Sequence, residues 1–449
     1  MKTMALFIPE IKSLLSEGES GQVRKLLEKL HPADIARGFD LLSSQERVAV
    51  FRLLDEKKGL DLFEELEFEP QKELLDSLSS ARAVKVLDEM APDDRADFFG
   101  ELSDEVMNRL FSMMKREEVA DVVQLLKYKE DSAGGIMTTD FVTLPPLTTA
   151  QEAIEHLRQS EDVNASCVYV VDKEDRLLGV ASLKSLIRAK PGLALAEFMN
   201  SRPIKAGVDV DQEEVARLVA TYDLLAIPVV EQDDRLVGIV TVDDAVDVIK
   251  EEVTEDIYKM AGTSAEYEVR DSTFKIALNR LPWLLVCLLG GVFVSGGVIR
   301  HFQTTLNSFL PLIFFVPVIM AMGGNVGIQS STIIIRSLAT GDIELGRAKR
   351  IILKEIGVGL VMGIVCGLLA GVAAPLFKMG GLGLGIIVGG SMFVALTVAT
   401  FIGTFFPILL KRLDVDPAVA AGPFVTMTTD FTGLLIYLGL ATSLIGFLK

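Results

Sequence analysis

One carboxylate stands where its neighbours are apolar or small: Asp430, in the stretch "GPFVTMTTDFTGLLIYLG" from Gly422 to Gly439. An ionised acid at the centre of a membrane helix costs about 2.5–3.5 kcal/mol to insert, so its presence calls for a use. Thr426, Thr428 and Thr429 precede it and Thr432 follows, and on a helix Thr426 and Asp430 share a face. A proton relay, a buried ion pair or a cation site facing water would each suit such a group. The segment contains no Lys, Arg or His, and the other apolar stretches offer no obvious basic partner. A carboxylate beside hydroxyls and without a basic mate reads best as a cation site. One carboxylate is little for a divalent ion such as Mg²⁺, which keeps most of its waters and takes few protein carboxylates in octahedral oxygen coordination. A two-fold homodimer would bring two Asp430 side chains to one axis. The pair could then hold a hydrated ion through its water shell.

Such a site needs membrane helices around it. Five uncharged or nearly uncharged stretches exceed the ~18 residues that suggest a span: Leu281–Val298, Phe302–Ile335, Ile356–Phe377, Met379–Leu410 and Pro417–Leu448. The second, fourth and fifth are longer than one crossing of the bilayer requires, which predicts tilt, breaks or partial re-entry. Arg336, Arg347, Lys349, Arg350 and Lys354 fall between spans two and three, and Lys411 and Arg412 between four and five. The opposite loops hold only Arg300 and Lys378. By the positive-inside rule, residues 1–270 lie in the cytoplasm and the C-terminus outside. The N-terminal "MKTMALFIPEIKSLLSEGES" lacks the apolar region of a signal peptide, which agrees with that orientation. Glycine-rich runs such as "GGVFVSGG" and "GGLGLGIIVGG" allow close helix packing or broken helices. Gly323, Gly324 and Asn325 beside Gln329, Ser330, Ser331 and Thr332 make one span unusually polar.

Charge divides the chain. Residues 1–270 hold 55 acidic and 32 basic side chains, net −23, whereas 7 acidic and 12 basic follow from Asp271 on, net +5. Such acidity disfavours nucleic acid, whose phosphates require basic surfaces. It attracts cations, although solvated acidic faces serve solubility equally well. Three scattered cysteines, Cys167, Cys287 and Cys366, indicate neither a disulfide framework nor a zinc site.

Two internal repeats organise the acidic part. "HPADIARGF" from His31 and "APDDRADFF" from Ala91 align at an offset of 60, within a region whose leucines recur at helical spacing. This predicts an all-α N-terminal stack of short helices, solenoid-like or superhelical, over residues 1–130. "VVDKEDRLLGVASL" from Val170 and "VVEQDDRLVGIVTV" from Val229 align at an offset of 59, each reading strand, acidic turn, strand, helix. With their preceding apolar helices, the two copies resemble tandem CBS domains, about 131–198 and 199–248, which implies an α/β module that often binds adenine nucleotides such as ATP. The family's ribose-binding pattern falls on Gly238, Thr241 and Asp244 in the second copy. The first copy has Gly179 and Ser182 but Ser185 in place of the acid, which counts against nucleotide binding.

Taken in order, these pieces resemble the MgtE magnesium-transporter family over essentially the whole chain. "YKEDSAGGIMTTDF", the CBS pair, "EEVTEDIYKMAG", "VPVIMAMGGNVGIQSST", "LDVDPA" and "TDFTGLLIY" carry the resemblance. It implies a homodimeric Mg²⁺-selective channel of the bacterial inner membrane, its pore on the dimer axis, closed by intracellular Mg²⁺. The implied architecture is a helical domain, a CBS pair (131–248), a connecting "plug" helix (249–270) and an all-α domain of five transmembrane helices (271–449). By motif, the pore carboxylate falls on Asp430 and a second, at the cytoplasmic mouth, on Asp416. Sensor carboxylates fall on Asp61, Asp93 and Asp97 in the helical domain and on Asp223, Asp244 and Asp247 in the second CBS copy. In the plug helix they fall on Glu252, Glu255 and Asp256. Where some members have Asn at the inner mouth this chain has Gly422, which weakens a plug-to-pore site. The competing expectation is a secondary carrier, for example exchanging Na⁺ for Mg²⁺. An enzyme is not expected, because His31, His156 and His301 are far apart and no P-loop, nucleophile elbow or two-His metal motif occurs. Permeation by Co²⁺, Ni²⁺ or Mn²⁺ is left open.

Overall fold

A computed structural model describes residues 7–159, 166–263, 273–340, 343, 348–376, 381–413, 415–420 and 422–444. Arg347, Lys378, the last part of the expected plug segment (264–270) and the C-terminal 445–449 lie outside the described residues. Two units divide the chain, Met1–Ile249 and Lys250–Lys449.

The first unit begins with ten short helices, α1 (Ile8–Ser16) to α10 (Arg116–Leu125). Their starts are written in the sequence. Pro occupies the first turn of α3 (Pro32–Phe39) and α8 (Pro92–Gly100), where its missing N–H costs no helical hydrogen bond. Ser43 and Glu46 form a capping box on α4 (Ser44–Leu53), and Asp55 caps α5 (Glu56–Glu64) through the Lys58 amide at 2.9 Å. The offset of 60 superimposes α3 on α8 and puts Phe39 and Phe99 at equivalent, fully buried positions. These phenylalanines join one continuous core with Phe51, Phe63 and Phe98. Arg95, buried at 2 % exposure, donates to the Met90 carbonyl at 2.6 Å and pairs with Glu118, tying α8 to α10.

The CBS pair follows as two three-stranded sheets. β1 (Val142–Leu144) runs parallel to β2 (Cys167–Val171), which pairs antiparallel with β3 (Leu177–Ser182). β4 (Ala206–Gly207), β5 (Ala226–Val230) and β6 (Leu236–Thr241) repeat that order. The offset of 59 holds residue for residue: β2 maps onto β5 and β3 onto β6, with matching register breaks after Val170 and Val229. Asp175 and Asp234 occupy equivalent left-handed turn positions, a conformation that Asp tolerates better than most residues. Gly179 and Gly238 sit where another segment crosses the strand. A Cβ on Gly179 would lie 2.8 Å from the Asn200 carbonyl, and one on Gly238 3.0 Å from that of Thr138. Helices α11 (Ala150–Gln159), α12 (Leu183–Arg188), α13 (Leu195–Phe198) and α14 (Gln212–Thr221) pack around the sheets. Helix α15 (Val242–Met260) starts directly after β6 and is unbroken for 19 residues.

In the second unit, among the described residues, five helices are long and apolar enough to cross a membrane. The first is α16 (Thr273–Leu289), a π-helical turn at Gly290–Ser295 and α17 (Gly296–His301). The long second stretch breaks into α18 (Gln303–Ser308) and α19 (Leu312–Ala339). Then come α20 (Ala348–Leu376), α21 (Gly381–Arg412), a 3₁₀ turn at Pro417–Ala420 and α22 (Pro423–Ser443). The fifth stretch therefore also divides, because Pro423 starts a new helix behind the non-helical Gly422. Glycines bring α20 and α21 together backbone to backbone: a Cβ on Gly367 would lie 2.6 Å from the Gly389 carbonyl. Tyr437, fully buried, donates to the Leu312 carbonyl at 2.9 Å and pins α22 to α19.

Candidate functional site

Asp430 projects from the middle of α22, whose threonines turn their hydroxyls inward. Thr426 donates to the Gly422 carbonyl at 3.0 Å, Thr428 to Phe424 at 2.8 Å and Thr432 to Thr428 at 2.8 Å. This back-bonding satisfies their protons and leaves oxygen lone pairs facing outward. Opposite them lies the backbone of α19. A Cβ built on Gly324 would stand 3.9 Å from Asp430 Oδ1 and 3.6 Å from the Thr426 methyl, so glycine keeps that wall bare. Gly327 allows a still closer approach, its Cβ position lying 2.9 Å from both Thr429 and Val425. Among the described residues no basic side chain pairs with Asp430, and part of its surface stays uncovered by its own chain.

A second set of acids runs through the first unit. Asp93 and Asp94 occupy the first turn of α8, where the helix dipole favours negative charge. Burial nevertheless pushes the Asp93 carboxyl up to about 7, with Asp244 the next cause, and the Asp94 carboxyl up to about 8, with Asp93 and Glu64 adding to burial. Asp97, exposed on the next turn, repels both. Glu64 on α5 accepts the Ala91 amide at 3.0 Å and is itself raised, mainly by burial and also by Asp61. Asp244 accepts from the Thr241 hydroxyl at 2.5 Å and from its amide at 3.3 Å, capping α15, while burial raises it and Asp247 adds repulsion. Asp61, Glu64, Asp94, Asp93 and Asp244 thus form one line of like charge from α5 through α8 to α15. One oxygen of Asp93, Oδ1, is buried without a hydrogen-bond partner.

A third set gathers at the end of α15. Burial and the neighbouring Asp416 push Asp256 up to about 6, with Glu252 and Glu255 contributing. Asp416, just before the 3₁₀ turn, caps that turn by accepting the Ala418 amide at 2.8 Å. Asp223 stands apart, exposed at a left-handed turn after α14. Among the described residues no three His, Cys, Asp or Glu side chains converge closely enough to hold a metal ion directly. These acids are near neighbours, and a geometry of that kind suits an ion that keeps much of its water.

The second-copy pattern Gly238, Thr241 and Asp244 is in place but already engaged, with Met137 against Gly238 and Thr241 bonded to Asp244. Four polar residues were not singled out by sequence reasoning. Asp94 lies inside the quoted repeat, one residue from an assigned acid, yet only burial separates it from Asp97. Glu64 and Lys259 show nothing distinctive in sequence. Glu355 lies just before the third apolar stretch as delimited by charge, but α20 extends past it, and Ser330 donates to it at 3.3 Å.

Comparison with known proteins agrees with this layout. A family described as a divalent cation transporter matches residues 316–440, the MgtE intracellular N domain matches 30–131, and CBS domains match 133–192 and 195–251. A protein named magnesium transporter MgtE from Thermus thermophilus is 38% identical over 442 residues, covering 97% of this chain and 98% of the relative. One of the same name from Bacillus subtilis is 36% identical over 434 residues, 96% of each. A solved structure of the cytosolic domain of the Mg²⁺ channel MgtE in complex with ATP aligns at 38% identity with a TM-score of 0.51, covering 53% of this chain and 98% of that one. With near-complete coverage at this identity, and an intracellular helical domain and CBS pair ahead of five apolar helices, the chain belongs to the MgtE family of magnesium transporters and is a membrane protein.

Proposed function

We propose that this protein is a Mg²⁺-selective channel for magnesium uptake, working as a homodimer and closed by intracellular Mg²⁺. The observation that carries the conduction part is Asp430, a carboxylate amid apolar helices with no cationic partner among the described residues and a glycine-bared wall beside it. Two copies related by a two-fold axis would supply charge to hold a hydrated ion while leaving its water shell intact. Arg336 near the end of α19, Lys349, Arg350 and Lys354 in the first turns of α20, and Lys411 and Arg412 at the end of α21 support an intracellular location for those ends and an outside C-terminus.

Gating rests on the acids of the first unit. Asp93, Asp94 and Asp244 are held at a spacing where each raises the cost of ionising another. A divalent ion among them offsets that repulsion and favours the compact arrangement. The same logic applies to Asp223 and Asp247 within the CBS pair, and to Glu252, Glu255, Asp256 and Asp416 where the connecting helix meets the inner end of the membrane helices. Moving a two-state assembly from 1:99 to 99:1 takes ~5.5 kcal/mol of differential binding, which several weak sites acting together can supply. ATP is a second candidate ligand for the CBS pair, because the solved relative holds it and Gly238, Thr241 and Asp244 are retained here.

The test is Mg²⁺ uptake by wild-type and Asp430→Ala protein in a magnesium-starved strain, paired with reconstitution into liposomes. Loss of rescue by the variant, with uptake driven by a Mg²⁺ gradient alone, is the expected result. Full rescue ends the pore assignment, and uptake that requires an opposing Na⁺ gradient replaces the channel with a carrier.

A further inference from the structure

The last turn of α15 carries a cation that none of the preceding roles uses. Lys259 Nζ lies 2.5 Å from Glu255 Oε1, one turn back on the same helix, and 2.7 Å from Asp416 Oδ2 at the inner end of the membrane helices. The other oxygen of Asp416 holds the Ala418 amide of the 3₁₀ turn. One carboxylate therefore joins the helix end to the turn between α21 and α22. Asp416 and Glu255 hold this ammonium, and Asp256, one turn away among the same acids, feels Lys259 together with Asp416, Glu252 and Glu255. Burial works against a charged lysine here. Hydrogen bonds to Asp416 and Glu255 outweigh it and hold the Lys259 ammonium firmly protonated.

The surrounding contacts show that the helix end is seated. Met260 packs against Ile335 of α19 and Ala418 of the 3₁₀ turn. Gly262, with a left-handed φ of 73°, abuts Pro423 at the start of α22.

We propose that Lys259 is a positioning residue: a tethered counterion that latches the end of the connecting helix onto the inner end of the membrane helices without metal, so that Mg²⁺ has one negative charge fewer to offset when the pore closes. This rests on the gating reading above. A divalent ion drawn to Glu252, Asp256 and Asp416 would then act on an assembly already aligned, and the Mg²⁺ concentration that closes the protein is set in part by a residue that binds no Mg²⁺. Arginine, which keeps the charge and can reach both acids, should serve in its place. Methionine, which keeps length and loses charge, should not.

The experiment has two arms in full-length protein. In liposomes, Mg²⁺ uptake is measured against rising Mg²⁺ on the cytoplasmic side, each variant referred to its own rate at the lowest concentration. Lys259→Met is expected to raise the half-closing concentration about fivefold, the equivalent of a single ion pair, and Lys259→Arg to stay near wild type. An unchanged or lowered half-closing concentration in Lys259→Met overturns the latch, the latter by making Lys259 a competitor of the metal. In the second arm Met260→Cys and Ala418→Cys are cross-linked by oxidation in EDTA, with Cys167, Cys287 and Cys366 replaced. The cross-link yield is expected to fall severalfold when Lys259→Met is added, and equal yields overturn the latch whatever transport shows. A wild-type uptake rate that ignores cytoplasmic Mg²⁺ while the cross-link still depends on Lys259 refutes the gating reading and leaves the latch standing.

Discussion

Gly422 lies so close to Met260 that a Cβ at position 422 would sit 2.1 Å from the Met260 carbonyl oxygen. The residue that opens the last membrane helix is therefore shaped by the residue that closes the connecting helix. Because the clash is with backbone, a side chain at 422 must displace one element or the other. Gly422→Ala is expected to unseat the helix end and leave uptake in high cytoplasmic Mg²⁺ several times that of wild type, while the rate in low Mg²⁺ is kept. Transport assays at both extremes check this, and tight closure in the variant would show that the contact is not part of the closed state. The family resemblance implies only a weakened plug-to-pore site at Gly422. The close approach supplies a reason for glycine that residue type alone did not reveal.

The acids of the first unit should matter for control and not for conduction. Neutralising Asp93, Asp97, Asp244 and Asp247 together to Asn removes four charges from the line through α8 and α15. Uptake at low Mg²⁺ is expected to stay within about twofold of wild type, with shutdown at high Mg²⁺ lost. Adding Asp94→Asn sharpens the test, because Asp94 is the more deeply affected neighbour, its carboxyl raised to about 8. Retained shutdown in the fivefold variant would move sensing elsewhere.

A pH dependence follows from the same residues. Asp93 and Asp94 rise from an ordinary 3.8 to about 7 and about 8 in the folded chain, chiefly through burial. Between about pH 4 and pH 8 the folded state therefore binds more protons than the unfolded one, and stability falls as pH rises through that window. Thermal unfolding of the full chain in detergent and EDTA is expected to show a lower midpoint at pH 8 than at pH 5.5. Added Mg²⁺ should flatten the slope by taking the place of the protons, and Asp93→Asn with Asp94→Asn should flatten it without Mg²⁺. A midpoint that rises with pH in EDTA would contradict the assignment.

Much of the fold was legible because local signals repeat. The offset of 59 marked both CBS copies strand by strand, and the proline-led motifs at His31 and Ala91 marked two equivalent helices. Five membrane helices followed from apolar length alone. Their ends were less legible: a run from Phe302 to Ile335 contains no charge, yet the chain breaks after Ser308, and α20 reaches back across Lys354 and Glu355 because a charged turn at a membrane edge can stay helical. Among site residues, Asp430 announces itself by standing alone in apolar sequence. Asp97 and Asp94 do not differ in type or motif, and only tertiary burial distinguishes the exposed one from the enclosed one. Lys259 was invisible for the same reason, since its partner Asp416 lies far along the chain.

The glycine contact between α20 and α21 yields a prediction about stability. Gly367 faces the Gly389 carbonyl at a distance that excludes any side chain, whereas Gly390, one residue further, has open space where a Cβ would go. Overpacking a close contact typically costs about 1–3 kcal/mol, and a clash with backbone that cannot relax belongs at the upper end of that range. Gly367→Val is expected to lower the thermal midpoint in detergent and reduce folded yield, while Gly390→Ala changes neither measurably. If the separation of α20 and α21 tolerates the valine without loss, small residues are not what sets their spacing, and the apolar cavity lined by Gly363, Gly367, Gly371 and Gly385 must be wider in the membrane than the backbone contacts allow.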